Sequence, residues 1–148
     1  ESLVIRAEAY ILQKEYDKAL ADLQVWVNNT INGPYTLTKE AIENWVDSYQ
    51  YYTPNAPTPK KKLNPEFAIE EGQQEAYLQF LLYARRYETM FSGLRWFDIK
   101  RYGIEIYRRT MQSGQPVSIG DMLKVRDNRC ALQIPPDVIS AGITPNPR

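Results

Sequence analysis

The stretch from Tyr83 to Tyr102 constrains the fold of this chain most strongly, because it crowds arginines, acids and aromatic rings around one glycine. Apolar residues recur at steps of three and four through its first half and the residues before it, which predicts one face of a helix: Tyr77, Leu81, Ala84, Tyr87 and Phe91. Ser92 and Gly93 interrupt this pattern, and we expect Ser92 to cap a second helix and Gly93 to adopt a conformation that a Cβ would disfavour. The stretch therefore predicts a helix, a break, and a second short helix over residues 94–101.

Two arginines in this stretch lie three positions before an acid, Arg85 before Glu88 and Arg95 before Asp98. Residues at this spacing are neighbours on a helix surface, so each pair can meet. The second helix also carries two aromatic residues that we expect in the core, Trp96 and Phe97. Beside buried rings, such pairs are expected to fix the angle between the helices more than to add net stability.

The composition argues against several classes of function. Lysine plus arginine equals aspartate plus glutamate at 18 each, so no net charge attracts nucleic acid or an anionic membrane. The chain has no histidine and one cysteine, Cys130, which rules out histidine-dependent catalytic triads and an internal disulfide, and we expect this thiol to be buried. We predict no enzyme, no metal and no cofactor. Hydrolysis by an acid pair stays open only if two carboxylates face each other across a cleft, roughly 5–9.5 Å apart.

The first fifty residues predict a helical hairpin and a third helix. Apolar stripes with helical spacing flank the polar turn at residues 13–15; they comprise Leu3, Ala7, Tyr10 and Ile11, then Tyr16, Ala19, Leu20, Leu23 and Trp26. This pattern is similar to a tetratricopeptide helix pair. Thr38 is placed to cap the third helix, whose apolar face comprises Ile42, Trp45, Val46 and Tyr49.

Residues 51–66 predict a long, exposed, irregular loop, because four prolines prevent a helix or a central strand. Tyr49, Tyr51 and Tyr52 stand at its entrance. Sugars stack their apolar faces on aromatic rings while polar groups meet their hydroxyls, so we predict these three tyrosines as candidate ligand contacts. The alternative is a solvated connector whose tyrosines only pack at its base.

The remainder, residues 67–148, should hold the two helices described above and a tail. We expect a short extended piece at residues 67–69, followed by the long helix from Gln73. Residues 104–107 fit either a strand or a helix, and residues 113–116 predict a loop. The tail is expected to run extended across the helices, anchored by Leu132 and Ile134.

The pattern Arg85-Arg86-Tyr87-Glu88, followed by Phe91-x-Gly93-x-Arg95-Trp96-Phe97-Asp98-Ile99-Lys100-Arg101, resembles a signature near the C-terminal end of the SusD/RagB family. The family consists of nutrient-binding lipoproteins of the bacterial outer membrane. The chain departs from the usual signature at Ala84 and Ser92, where the family has glutamates, and at Thr89, where it has leucine. The tail also resembles the closing segment of the family, with Gln133 in place of a proline.

This resemblance implies a mainly α fold with tetratricopeptide-like hairpins, and it makes residues 1–148 one domain from the C-terminal part of a larger protein. It implies binding of an oligosaccharide or other nutrient, a TonB-dependent transporter as partner, and an outer-leaflet lipid anchor upstream of Glu1. We expect the signature residues chiefly to hold the helices in place rather than to bind the ligand. These residues are Arg85, Arg86, Glu88, Gly93, Arg95, Trp96 and Asp98. The alternative function is a tetratricopeptide-like scaffold that binds a protein or peptide.

Overall fold

The computed structural model describes residues 2–147, so both terminal residues of the predicted ranges, Glu1 and Arg148, lie outside it. The described chain is mainly helical, as predicted, with 46% of its residues in helices. Its helices are α1 (Ser2–Leu12), α2 (Tyr16–Thr30), α3 (Lys39–Asp47), α4 (Gln73–Glu88), α5 (Arg95–Arg101) and α6 (Pro136–Ser140). Its strands are β1 (Ile106–Gln112) and β2 (Gln115–Leu123), and no helix within residues 2–147 is both long and apolar enough to cross a membrane.

Helices α1 and α2 pack against each other across the predicted turn, where Lys14 adopts a positive φ of 62°. Ala7 and Ala19 are completely buried, so small side chains occupy positions along both helices where the core is tightest. The two helices confirm the predicted elements. Their likeness to a tetratricopeptide pair stays a prediction.

The predicted cap of α3 is confirmed, because the Thr38 hydroxyl accepts a hydrogen bond from the Ala41 amide at 3.1 Å. Ile42 and Val46 are buried on the inner face of this helix. That face packs against α4, which also packs against α1. Helix α4 is therefore the central element of the core.

The predicted stripe along α4 is correct at Tyr77, Leu81 and Ala84, all of which are buried. It is wrong at its end, because α4 stops at Glu88, Tyr87 is 54% exposed and Phe91 is 99% exposed. Phe91 has a φ of 68°, which no helical residue adopts, so the helical spacing no longer describes where its ring points.

The predicted break and second helix are confirmed, with Gly93 at a φ of 78° and α5 beginning at Arg95. Ser92 is not the cap: its hydroxyl donates to the Thr89 carbonyl at 2.6 Å, and Leu94 holds the capping position. Phe97 is 66% exposed, and Trp96 is partly buried outside the core, so both were wrongly predicted as core residues. The inner face of this short helix holds residues 95, 98 and 99 instead, which leaves positions 96 and 97 off that face.

Arg85 forms a buried ion-pair network that joins α1, α4 and α5. Its guanidinium donates to Asp98 at 2.8 Å and to Glu8, and Glu8 also accepts from Arg101 at 2.9 Å and from the Tyr102 hydroxyl at 2.5 Å. Burial alone would raise the pKa of Glu8, but the hydrogen bonds from Tyr102, Arg85 and Arg101 and the charge of Arg85 lower it below its ordinary value.

The expected pair of Arg85 with Glu88 is not formed. Arg85 lies on the buried face of α4, whereas Glu88 is exposed at the helix end, where its carboxylate accepts from the Trp26 indole at 3.3 Å. The other expected pair is present, with Arg95 at 3.3 Å from Asp98. The signature therefore links helices, as expected, but its main link reaches α1 rather than the next turn of α4.

Residues 106–123 form an antiparallel hairpin that the sequence did not resolve. Ser113 and Gly114 both have positive φ, 51° and 77°, which suits the two-residue turn of a hairpin. Gln115 and Pro116, predicted as loop, already belong to β2. The register shifts after Arg108 and after Thr110, so the strand alternation is too irregular to be read from side-chain pattern alone.

Residues 51–66 form no helix or strand, as predicted, but this loop is bound to the helices rather than free in solvent. Near its end, the Asn64 amide donates to the Tyr102 carbonyl at 2.8 Å. Gly103, with a φ of 55°, lets the two backbones approach so closely that a Cβ there would lie 2.2 Å from the Asn64 carbonyl oxygen. Residues 67–69 form no strand, yet Phe67 and Ile69 pack against the core.

The tail departs from the predicted extended course, because it contains a 3₁₀ turn (Asn128–Cys130) and the short helix α6. Leu132 is almost fully exposed, so its predicted role as an anchor is wrong, whereas Ile134 is partly buried. Cys130 is also only partly buried, not the buried residue that we expected. Leu132 follows the 3₁₀ turn and its cap Ala131, and it does not belong to the core.

Candidate ligand-binding cleft

An open cavity of about 750 Å³ lies between the loop of residues 51–66, α4, α5 and β1, and we call it the cleft. Its floor is apolar and includes Leu82, Ile99 and Ile104. Tyrosine and basic side chains form much of the remaining lining: Tyr52, Tyr83, Tyr87, Lys61, Arg86, Arg95 and Arg109. Its size is that of typical small-molecule sites.

Gln79 fixes one wall by binding the loop backbone at Lys61. Its side-chain oxygen accepts from the Lys61 amide at 3.0 Å, and its side-chain nitrogen donates to the Lys61 carbonyl at 2.5 Å. Gln79 is buried within α4, and both hydrogen bonds are partly buried. This contact holds Lys61 over the cleft despite the irregular backbone around it.

Arg109 fixes the same loop from the side of β1. Its guanidinium donates to the carbonyls of Pro54 at 2.7 Å and Thr53 at 2.5 Å, and to the Tyr52 hydroxyl at 2.5 Å. The Tyr52 ring stacks on the ring of Tyr107, with 5.4 Å between centroids and 23° between planes. Tyr52 is thereby held rigidly, between a guanidinium and a second ring.

Two tyrosines with exposed rings lie one turn apart on α4. Tyr83 is 40% exposed and Tyr87 is 54% exposed. Trp45 supports Tyr83 at a centroid distance of 4.9 Å, and Trp26 supports Tyr87 at 6.4 Å. These contacts restrict both rings while leaving part of each accessible from the cleft.

Lys61 has an unusual environment for a lysine. Its ammonium group donates to the Thr58 carbonyl at 2.6 Å and lies 3.3 Å above the centroid of the Tyr52 ring. Burial, followed by repulsion from Arg86, Arg95 and Arg109, lowers its pKa from 10.5 to about 7. No carboxylate forms an ion pair with Lys61 among the described residues.

Arg86 and Arg95 bring two further positive charges to the cleft. Arg86 is exposed and has no ion pair or hydrogen bond with any residue in the range 2–147. Arg95 is mostly buried, which lowers its pKa although the charge of Asp98 opposes that change. The carboxylate of Asp98 is shared with Arg85, so it does not fully offset the charge of Arg95.

Of the three tyrosines predicted as ligand contacts, only Tyr52 lines the cleft. Tyr49 packs on the Trp45 ring at 5.4 Å. Burial, followed by the hydrogen bond that the Tyr51 hydroxyl donates to Glu75 at 2.7 Å, raises the pKa of Tyr51 to about 12. Two signature residues expected to serve architecture, Arg86 and Arg95, line the cleft as well. Whether any of these residues binds a ligand stays a prediction.

Sequence reasoning missed Tyr83, Lys61 and Arg109 as cleft residues and placed Tyr87 in the core. The spacing of Tyr83 and Tyr87 by four residues was an available signal, since both lie on one face of a helix. Tyr107 and Arg109 share one strand face by their spacing of two, but that signal depends on recognising β1.

A smaller cavity, of about 460 Å³, lies between the end of α5 and the tail, near Cys130 and Asn146. Its lining contains no aromatic side chain, so the cleft is the better candidate for a ligand with apolar faces. Within residues 2–147, no group of three or more aspartate, glutamate and cysteine side chains is placed to hold a metal ion.

Comparison of the chain with protein-family models, with curated proteins and with solved structures finds no match.

Proposed function

We propose that this chain belongs to a non-catalytic binding component that captures a glycan or another nutrient in the cleft. The observation that carries this proposal is the pair of supported, partly exposed rings of Tyr83 and Tyr87, one helical turn apart in the lining. The apolar faces of pyranose rings stack on tyrosines, and rings on successive turns offer room for more than one sugar unit. Both rings are held by tryptophans, so little side-chain entropy is lost on binding.

The polar groups of the cleft support the same ligand class. Lys61, Arg86 and Glu105 line its walls and can meet sugar hydroxyls, while Leu82 and Ile104 provide an apolar floor. A few placed polar groups around an apolar floor are typical of small-ligand sites.

The acids near the cleft support binding rather than reaction. The Glu105 carboxylate accepts a hydrogen bond from the Tyr107 hydroxyl at 2.7 Å, and Asp98 is shared between Arg85 and Arg95. Hydrolysis by two carboxylates needs an acid and a base that both reach the substrate. Here both acids are already engaged by neighbouring side chains.

The cellular setting of this proposal rests on the resemblance of residues 85–101 to the SusD/RagB signature. On that basis we propose that the protein works with a TonB-dependent transporter at the bacterial outer membrane, attached to the outer leaflet by a lipid upstream of this chain. The nutrient would pass from the cleft to the transporter without being altered.

Titration calorimetry with a panel of neutral and acidic oligosaccharides tests the proposal. We expect binding by at least one oligosaccharide, weakened by Tyr83→Ala and by Tyr87→Ala on the order of three- to tenfold each, because each loses a stacking contact of about 0.5–1.5 kcal/mol. Tyr35→Ala is the matched control, since Tyr35 is 47% exposed and lies outside the cleft.

Absence of binding by every oligosaccharide would overturn a glycan as the ligand, and equal affinities of the wild type and both cleft variants would overturn the cleft as the site. Tyr51→Ala separates the cleft from the contacts predicted by sequence, because the Tyr51 ring does not line the cleft. Selective loss of affinity in Tyr51→Ala would move the site to the mouth of the loop.

A further inference from the structure

The cleft carries more positive than negative charge, although the chain as a whole is neutral. Four basic side chains line it: Lys61, Arg86, Arg95 and Arg109. Among the described residues, Glu105 is the one acid in the lining, and Asp98, which contacts Arg95, divides its charge between two guanidinium groups. Cations placed close together repel one another, which costs stability. Their concentration in the cleft of a chain without net charge therefore indicates an anionic ligand.

Arg86 is the group best placed to bind such an anion. Its guanidinium is exposed in the cleft and has no partner among the described residues, so its planar donor fork is available. A carboxylate group of a ligand can accept two parallel hydrogen bonds from such a fork. Arg109, in contrast, already donates to three loop oxygens and contributes chiefly charge.

Lys61 adds a second, compact positive charge to the same cavity. Its hydrogen bond to the Thr58 carbonyl uses one of its three donors, and no acid among the described residues neutralises it. An anion entering the cleft would attract each of the cations and so offset the repulsion among them, whereas a neutral ligand would leave that repulsion without an offset.

We propose that the ligand of the cleft is an acidic saccharide, whose uronic acid carboxylate binds Arg86 and Lys61 while its pyranose faces stack on Tyr83 and Tyr87. This inference rests on the proposed function and names the substrate class of the same site. The planar carboxylate matches the guanidinium fork, and the sugar faces match the rings of Tyr83 and Tyr87, which precede and follow Arg86 on the same helix.

The test uses calorimetry at pH 6 with trimers of galacturonic and mannuronic acid and with the matching neutral trimers of galactose and mannose. We expect an acidic trimer to bind at least tenfold more tightly than its neutral counterpart, and Arg86→Gln to remove about tenfold of that affinity. Arg108→Gln is the control, because Arg108 is exposed on the same chain, lies outside the cleft and also has no ion pair within residues 2–147.

The outcomes separate the two proposals. Suppose that a neutral trimer binds as tightly as its acidic counterpart, and that its affinity falls in Tyr87→Ala but not in Arg86→Gln. The acidic class is then overturned, and the proposed binding function stands. If none of these trimers and no oligosaccharide of the panel binds, both the acidic class and a glycan as the ligand are overturned. Equal losses of acidic-trimer affinity in Arg86→Gln and Arg108→Gln would show a general charge effect and would also overturn the assignment to the cleft.

Discussion

Replacing Lys61 by methionine is expected to stabilise the protein, and to do so more at pH 6 than at pH 9. The folded chain lowers the pKa of Lys61 from 10.5 to about 7, through burial and through the charges of Arg86, Arg95 and Arg109. The unfolded chain therefore binds more protons than the folded chain between about pH 7 and pH 10.5, and Lys61 opposes folding most strongly at the acidic side of this window. Methionine keeps the length and apolar contacts of the side chain and removes the charge.

The magnitude follows from the two pKa values. At pH 6 nearly the whole lowering of the Lys61 pKa from 10.5 to about 7 opposes folding. At pH 9 Lys61 is neutral in the fold, and only the interval of about 1.5 pH units up to the unfolded pKa of 10.5 still opposes folding. The difference of about two units corresponds to roughly 2.7 kcal/mol at about 1.36 kcal/mol per unit. Lys61 is only partly buried, so screening by water reduces the expected difference to about 1–2 kcal/mol.

Urea unfolding at constant ionic strength, followed by circular dichroism at both pH values, measures this difference directly. The hydrogen bond to Thr58 and the contact with the Tyr52 ring are stronger for the charged ammonium at pH 6 than for the neutral amine at pH 9, so their loss acts against the expected difference. Lys62→Met serves as the control, because Lys62 is exposed next to Lys61. Equal stabilisation by Lys61→Met at pH 6 and pH 9 would refute the claim that burial and the neighbouring cations lower the pKa of Lys61.

Two further predictions concern the contacts that hold the cleft together. Gly103→Ala should cost at least about 3 kcal/mol of unfolding free energy, because its Cβ would lie 2.2 Å from the Asn64 carbonyl oxygen. Gly142→Ala, also at positive φ but with no atom within 4 Å, should cost only about 1–2 kcal/mol in the same urea assay, and equal losses would contradict the steric argument. Glu8→Gln should cost about 3–5 kcal/mol of unfolding free energy near neutral pH, because it leaves Arg85 buried with a weaker partner. The control is Glu66→Gln, which removes an exposed pair with Arg126 and should cost no more than about 1 kcal/mol. Since the fold lowers the pKa of Glu8, the wild type should lose its extra stability over Glu8→Gln as the pH falls below 4.5. A difference in unfolding free energy that does not change with pH would contradict this reasoning.

Local signals in the sequence predicted the helices well. Helices α1 to α4 follow apolar spacing, Thr38 caps α3, and Gly93 marks the break before α5. Each of these features depends on residues close in the chain, so spacing and backbone preference are sufficient to predict them.

Several failures have a different cause, because they depend on partners distant in the sequence. Arg85 pairs with Glu8, 77 positions away, instead of Glu88, and no local pattern distinguishes these two acids. The loop of residues 51–66 is ordered by Gln79 and Arg109, whose binding to its backbone cannot be read from prolines alone. The same reason hid the cleft, since loop, helices and hairpin meet only in the folded chain.

Adjacent arginines at positions 85 and 86 show how one short signature can serve two purposes. Neighbouring helix residues point about 100° apart, so Arg85 enters the core and binds Glu8 while Arg86 faces the cleft. Arg95 combines both positions, since its side chain lines the cleft and also contacts Asp98 of the buried network. A change at Arg85 should therefore alter stability first, and a change at Arg86 should alter ligand binding with little effect on folding. That this signature is chiefly architectural stays a prediction; Arg85 and Asp98 join helices through buried ion pairs, and it is at Arg86 that we propose an additional role in recognition.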